Sequence, residues 1–219
     1  MAAVTAYGFL HTAAVHVDRF DALVAELSPG DDALHRVDPD LLAAARRGTD
    51  GAVVAAAVGA HLDTLAADGA ARVLCTCSTL AETAHRVGTD HGIDVVRVDR
   101  PMAAAAVGLG RRIAVVAALD STVGPTRALL EDEAQRAGRP VTLVDAPCFA
   151  AWNHFEAGDL DRYLAGVAAC VEGLDDEVDV IVLAQASMAP VETLVTVGVP
   201  VLSSPRLAVA ELVRLDPDP

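Results

Sequence analysis

The chain contains no lysine. All 16 basic residues among its 219 are arginine. That absence removes pyridoxal-phosphate catalysis and Schiff-base aldolases, both of which need a lysine amine. Long apolar runs are missing as well. The composition is 53% hydrophobic, mostly Ala, Val and Leu, yet no run reaches the roughly 18 residues needed to cross a bilayer. No membrane partner is therefore expected. The start, Met1 to Tyr7, has no positive n-region and passes into strand-like sequence, so no signal peptide is expected and the location reads as cytoplasmic. Basic charge is scarce, with 31 acidic residues against 16 basic ones, which argues against nucleic acid. It says little about a small anionic ligand, because a few local donors override a distant net field. Four cysteines do not make a disulfide scaffold. Cys75 and Cys77 share one strand face and are poorly placed to bond each other, while Cys148 and Cys170 read as buried, inert thiols. No tight His/Cys spacing supplies the three or four converging ligands of a metal site, so no metal is expected.

What is present is an alternation of short apolar strands and amphipathic helices. Strands are expected over residues 3–9, 34–38, 72–76 and 93–98, and again over 112–118, 141–144, 180–184 and 199–202. Helices are expected over 23–27, 40–47 behind Pro39, a long stretch from the cap Asp50 to Ala67, 79–87, and from Pro101. Further helices are expected over 125–137, 160–174, between the last two strands, and from Pro205. Residues 10–16 and 119–122 read as loops, and the aromatic run 149–155 as a lead-in to a helix. Strands apolar on both faces and separated by helices imply α/β architecture: a parallel sheet covered by helices on both sides.

The second half repeats the first. Arg72-Val73-Leu74-Cys75-Thr76-Cys77-Ser78-Thr79-Leu80-Ala81 lies over Val180-Ile181-Val182-Leu183-Ala184-Gln185-Ala186-Ser187-Met188-Ala189. Cys77 pairs with Gln185 and Thr79 with Ser187. Further on, Val98-Asp99-Arg100-Pro101 pairs with Leu202-Ser203-Ser204-Pro205. The offset is about half the chain, a two-unit duplication rather than a solenoid. The expected halves are residues 1–99, joined by the C-terminal helix 205–219, and residues 100–204. Two pseudo-symmetric halves of this kind are expected to hold an active-site cleft between them. Parallel sheets bind ligands at the carboxyl ends of their strands, which directs attention to the segments after Phe9, Thr76, Ala118 and Ala184.

At these residues the chain resembles the aspartate/glutamate racemase superfamily, in its hydantoin racemase, maleate isomerase and arylmalonate decarboxylase-like branch. Cys77-Ser78-Thr79 matches the family's first corner, Cys-Asn-Thr or Cys-Ser-Thr at a strand end. Leu183-Ala184-Gln185-Ala186-Ser187-Met188-Ala189 fits the second, Leu-Gly-Cys-Ala-Gly-Met-Ala, with Gln185 in place of the cysteine. The resemblance runs over essentially the whole chain. It implies two pseudo-symmetric α/β halves, a racemase- or isomerase-type reaction without cofactor, and a small carboxylate-bearing substrate. A homo-oligomer is left open.

The family's racemases use two thiols, one on each face of the substrate α-carbon. Here one remains. Gln185 cannot accept a proton at neutral pH, so balanced two-base racemization is not expected. Cys77 stands at a helix start whose N–H groups and dipole favour a thiolate. It is expected to act as a one-sided base, as a proton donor after decarboxylation, or as a nucleophile. Gln185 is either a hydrogen-bond donor to substrate or a helix cap. Ser78, Thr79, Ser121, Thr122 and Ser187 are candidate carboxylate binders, each with the alternative of capping its own helix. His11 and Thr12 stand where glutamate racemases carry Asp-Ser. His11 is read either as a base that activates the thiol or as a structural imidazole. Trp152, His154 and Phe155 either line a lid or pack, and Arg100 is a weak candidate for meeting a carboxylate. A contrasting reading is a non-catalytic protein that binds small acids in the remnant of a racemase cleft.

Overall fold

The computed structural model describes residues 4–174 and 177–214. The expected strand start at Ala3 and the end of the last helix beyond Arg214 lie outside these residues. The chain divides into two compact units, one formed by the chain up to Val98 together with the segment from Pro205, the other by Asp99–Ser204.

In the first unit, β1 (Ala6–His11), β2 (Asp32–Val37), β3 (Arg72–Cys75) and β4 (Val95–Arg97) make a parallel sheet in the order β2-β1-β3-β4. Its helices are α1 (Val17–Leu27), α2 (Pro39–Arg46), α3 (Gly51–Ala67) and α4 (Ala81–His91). Side chains alternate along each strand, so neighbouring residues serve opposite faces. Leu10, Val73 and Cys75 pack with Leu41 of α2, Val58 and Leu62 of α3, Leu80 just ahead of α4 and Ala84 within it. Tyr7, Phe9 and Leu74 face the other way, onto Phe20 and Val24 of α1. Asp38 and Asp50 cap α2 and α3 by accepting from the N–H groups of Asp40 and Ala52. Gly92, in the left-handed region at φ 72°, ends α4.

The second unit repeats this design with α5 (Arg100–Leu109), β5 (Arg112–Ala117), α6 (Asp120–Arg136), β6 (Thr142–Pro147), α7 (Phe149–Glu156), α8 (Leu160–Glu172), β7 (Val180–Leu183), α9 (Val191–Leu194) and β8 (Val201–Ser203). The strand order is β6-β5-β7-β8, again all parallel. Ala114, Val116, Ile181 and Leu183 pack with Tyr163, Val167 and Val171 of α8 on one face.

The final helix, α10 (Ser204–Arg214), returns to the first unit. Ala208, Val209 and Leu212 join the core around Phe9 and Phe20. Buried Arg72 donates to the Leu212 carbonyl at 2.7 Å and to Asp94 at 2.7 Å. Arg206 grips Glu26 through both guanidinium nitrogens at 2.8 Å.

Three expectations need correction. Residues 149–155 do lead toward the helix at Leu160, but they are themselves helical, as α7, where Trp152 stacks on Phe155 and both rings meet Tyr163 of α8 at an angle. The segment 119–122 is not all loop: α6 starts at Asp120 and contains Pro125. Proline's clash falls on the carbonyl four residues back, Ser121, which lies in the first turn where the helix can give. Cys170 is half-buried rather than buried.

Candidate active site

Both sheets reverse their winding at one place. After β1 the chain goes to β2 on one side, and β3 pairs on the other; β5, β6 and β7 do the same. The carboxyl ends of β1 and β3, and of β5 and β7, are therefore topological switch points, where sheets of this type bind ligands. Equivalent ladder bonds fix the correspondence, Thr76 N–H to the Leu10 carbonyl at 3.0 Å and Ala184 N–H to Val116 at 2.9 Å. In that register Cys77 matches Gln185, Thr79 matches Ser187 and Thr12 matches Ala118.

In the first unit the switch point gathers His11, Thr12, Cys77, Ser78 and Thr79. Cys77 is buried beside the core of α3 and α4. Burial pushes its thiol up from the ordinary value, against four donors that favour the thiolate: the Thr12 hydroxyl, the N–H groups of Leu80 and Thr79, and the Thr79 hydroxyl. The expected net lowering by the helix start is not found, because α4 begins only at Ala81 and desolvation outweighs the donors. A neutral thiol with a ready-made cradle for its anion results. Cys75 is sealed in the core.

His11 is completely buried. Its Nδ1 lies 2.9 Å from Thr76 Oγ1 and its Nε2 2.8 Å from His35 Nδ1. Burial first, then His35 and His16, push it down to about 3. It is thus a neutral ring, and the hydroxyl that bonds the thiol belongs to its neighbour Thr12. The sequence reading missed Thr76, His35 and Asp21, which complete this cluster. Thr76 stands in the corner motif beside Cys77, whereas His35 and Asp21 lie on β2 and α1, and only the fold joins them to it.

In the second unit Gln185 takes the thiol's place. Its Oε1 accepts from the Ala118 N–H at 3.1 Å, across the β5–β7 switch point. That bond fixes the amide orientation and leaves Nε2, on a side chain 8% exposed, buried without a protein partner among the described residues. Ser187 shares a 2.7 Å hydrogen bond with the Tyr163 hydroxyl, whose phenol burial holds above its usual value. Ser121 and Thr122 sit in the first turn of α6, with Thr122 buried and its N–H on the Leu119 carbonyl at 3.0 Å. Trp152 and Phe155 pack on α8, and Arg100 is engaged by Asp132 and Glu133.

Two parallel α/β units of identical strand order, each with a polar corner at its switch point, make a duplicated α/β fold of the kind that binds small molecules at its strand ends. The chain belongs to the Asp/Glu/hydantoin racemase family, whose profile it matches over residues 12–212. Among solved structures it is similar to aspartate racemase from Picrophilus torridus, at 14% identity and TM-score 0.72, over 96% of this chain and 93% of that one. Glutamate racemase from Thermus thermophilus is 20% identical with TM-score 0.62, over 98% and 84%. Unliganded arylmalonate decarboxylase is 19% identical with TM-score 0.57, over 97% and 93%. No curated protein matches the chain. Membership makes the protein an isomerase-type enzyme, and no described helix is long and apolar enough to cross a membrane.

Proposed function

We propose that the protein is a cofactor-independent, cytoplasmic enzyme that moves a proton at the carbon next to a carboxylate or carbonyl of a small acid, with Cys77 as its single acid–base thiol. The observation that carries this reading is the cradle at Cys77: one thiol, four donors, and an amide at the equivalent position of the second unit. A thiol kept neutral by burial is suited to giving its proton to a carbanion. As the S–H bond breaks and the C–H bond forms, the electron pair stays on sulfur, and the thiolate accepts hydrogen bonds from the Thr12 and Thr79 hydroxyls and the N–H groups of Thr79 and Leu80. The reverse step takes a proton from the same face. Gln185 has no basic atom, so it serves as a donor through Nε2, and Ser78, Thr79, Ser121, Thr122 and Ser187 serve the carboxylate. Such chemistry is one-sided, as in protonation after decarboxylation or an isomerization through one face.

The test is incubation of candidate amino acids, hydantoins and malonates in deuterium oxide with wild-type and Cys77→Ala protein. Turnover by the wild type alone is expected, with unequal solvent-deuterium incorporation from the two enantiomers. Equal turnover by both proteins removes Cys77 from the mechanism, and equal fast exchange from both enantiomers removes the one-sided reading.

The raised thiol also favours a second reading, a binding protein for small acids in which Cys77 is inert. It predicts no turnover, and iodoacetamide labelling whose pH profile is that of an unassisted thiol.

A further inference from the structure

On the sheet face opposite the Cys77 cradle, a file of polar groups runs from the surface to the same corner. Asp21 on α1, with its side chain 53% exposed, lies 2.9 Å from His35 Nε2 on β2. His35 Nδ1 lies 2.8 Å from His11 Nε2, and His11 Nδ1 lies 2.9 Å from Thr76 Oγ1. Thr76 Oγ1 is also 3.2 Å from the Leu10 carbonyl. The two imidazoles stack at 5.1 Å on each other, Phe9 stacks on His35 at 5.1 Å and on His11 at 6.0 Å, and Phe20 meets His11 at a tilt at 5.6 Å, which holds the rings in place.

With Asp21 ionised and His11 uncharged, two proton arrangements carry hydrogen bonds along the file, and only the second also keeps the bond from Thr76 to the Leu10 carbonyl. In the first, the Thr76 hydroxyl donates to His11 Nδ1, His11 Nε2–H donates to His35 Nδ1, and His35 Nε2–H donates to the Asp21 carboxylate. In the second, one proton has been added. His35 carries both ring protons, donating to Asp21 and to His11 Nε2; His11 has become the Nδ1–H tautomer and donates to Thr76; and the Thr76 hydroxyl has turned to the Leu10 carbonyl. The difference is one solvent proton: the His11 Nε2–H bond breaks as its proton passes to His35 Nδ1, the added proton forms the His11 Nδ1–H bond, and no bond among heavy atoms changes.

We infer that Asp21, His35 and His11 form a proton relay that sets the direction of the Thr76 hydroxyl, and that they are positioning residues for Cys77. His11 and Thr76 form one rung at the ends of β1 and β3, and Thr12 and Cys77, their chain neighbours, form the next. Turning the Thr76 hydroxyl places a second donor on the Leu10 carbonyl, which already accepts the Thr76 N–H, and so adjusts the rung on which the thiol sits. The other charged or titratable groups facing the file are His16, 6.2 Å from the His11 ring, and Arg19 beside His16. In the second arrangement the added charge lies on His35, 2.9 Å from the Asp21 carboxylate, rather than on the completely buried ring of His11.

The inference deepens the reading of Cys77 as an acid–base thiol and rests on it for its consequence. Nitrogen NMR of histidine-labelled protein, titrated from about pH 8 to about pH 5, reads the tautomers directly. In the wild type, His11 should change from Nε2–H to Nδ1–H in one step over that range. His35→Gln and Thr76→Val should each hold a single His11 tautomer throughout. A wild-type His11 that never changes tautomer, or a step that survives His35→Gln, overturns the relay. In parallel, the ratio of Cys77 alkylation rates in wild type and Thr76→Val should change by about threefold across the step, the equivalent of one weakened hydrogen bond. A constant ratio overturns the positioning role. Neither measurement uses a substrate, so failure of the relay and failure of Cys77 as the catalytic thiol are separately visible.

Discussion

The corners at the two switch points share a backbone and differ in chemistry. At the first, a buried thiol is met by four donors and backed by a file of imidazoles. At the second, an amide gives its oxygen to the Ala118 N–H and keeps a buried NH2 without a protein partner among the described residues. In the function proposed above, the first corner exchanges a proton and the second only holds. Duplication therefore conserves the placement of a side chain more strictly than its function, because the strand order fixes where the corner lies and one substitution decides what it does.

Changing the thiol should have the largest effect. Cys77→Ala is expected to lower turnover of any confirmed substrate by about 10²–10⁴-fold, the range for a positioned acid–base group, as steady-state rates will show. Gln185→Cys sharpens the comparison: with a thiol at both corners, deuterium exchange from the two enantiomers should become more nearly equal. Unchanged asymmetry would show that the missing thiol is not what makes the reaction one-sided.

Acid should act chiefly through the first unit, which holds every histidine except His154. Burial holds His11 down to about 3 and His16 to about 4, against an ordinary value of 6.5. Between those limits the unfolded chain binds more protons than the folded one. Stability is therefore complete above about pH 6.5 and falls as pH drops toward 4 and then 3. Urea midpoints measured from about pH 7.5 to about pH 5 should decline, and a flat profile would show that these rings are not held neutral.

Packing gives the next test. Gly88 of α4 lies so close to β4 that a Cβ there would overlap Val95 and approach the Ile93 carbonyl oxygen at 2.8 Å. Gly88→Ala should cost about 1–3 kcal/mol of stability, read by chemical unfolding. The smallest effect is expected at the second corner, where Tyr163→Phe removes the bond to Ser187 and should cost about 1 kcal/mol.

Much of this was legible in the sequence for identifiable reasons. Asp50 and Ala67 bound α3 as its cap and apolar periodicity require, and the paired corners gave both the duplication and the Cys77–Gln185 correspondence. Strand ends were less legible. β1 runs on to His11, past Phe9, because its last ladder partners come from β2, which periodicity along β1 cannot reveal. The imidazole file was illegible for the same reason: Asp21, His35 and Thr76 are far apart in the chain and share no motif. The sign of the Cys77 shift was missed because a helix start can be read from sequence, whereas the depth at which a thiol is buried cannot.

The return of α10 bears on the order in which the protein is made. On the ribosome, Asp99–Ser204 emerges as one continuous stretch carrying all the strands of its sheet. The first unit emerges earlier but lacks the helix whose Ala208, Val209 and Leu212 cover Phe9 and Phe20, and whose carbonyl receives Arg72. The half that is synthesised first is therefore the half that is finished last. During translation its aromatic face waits for a segment separated from it by the whole of the other unit.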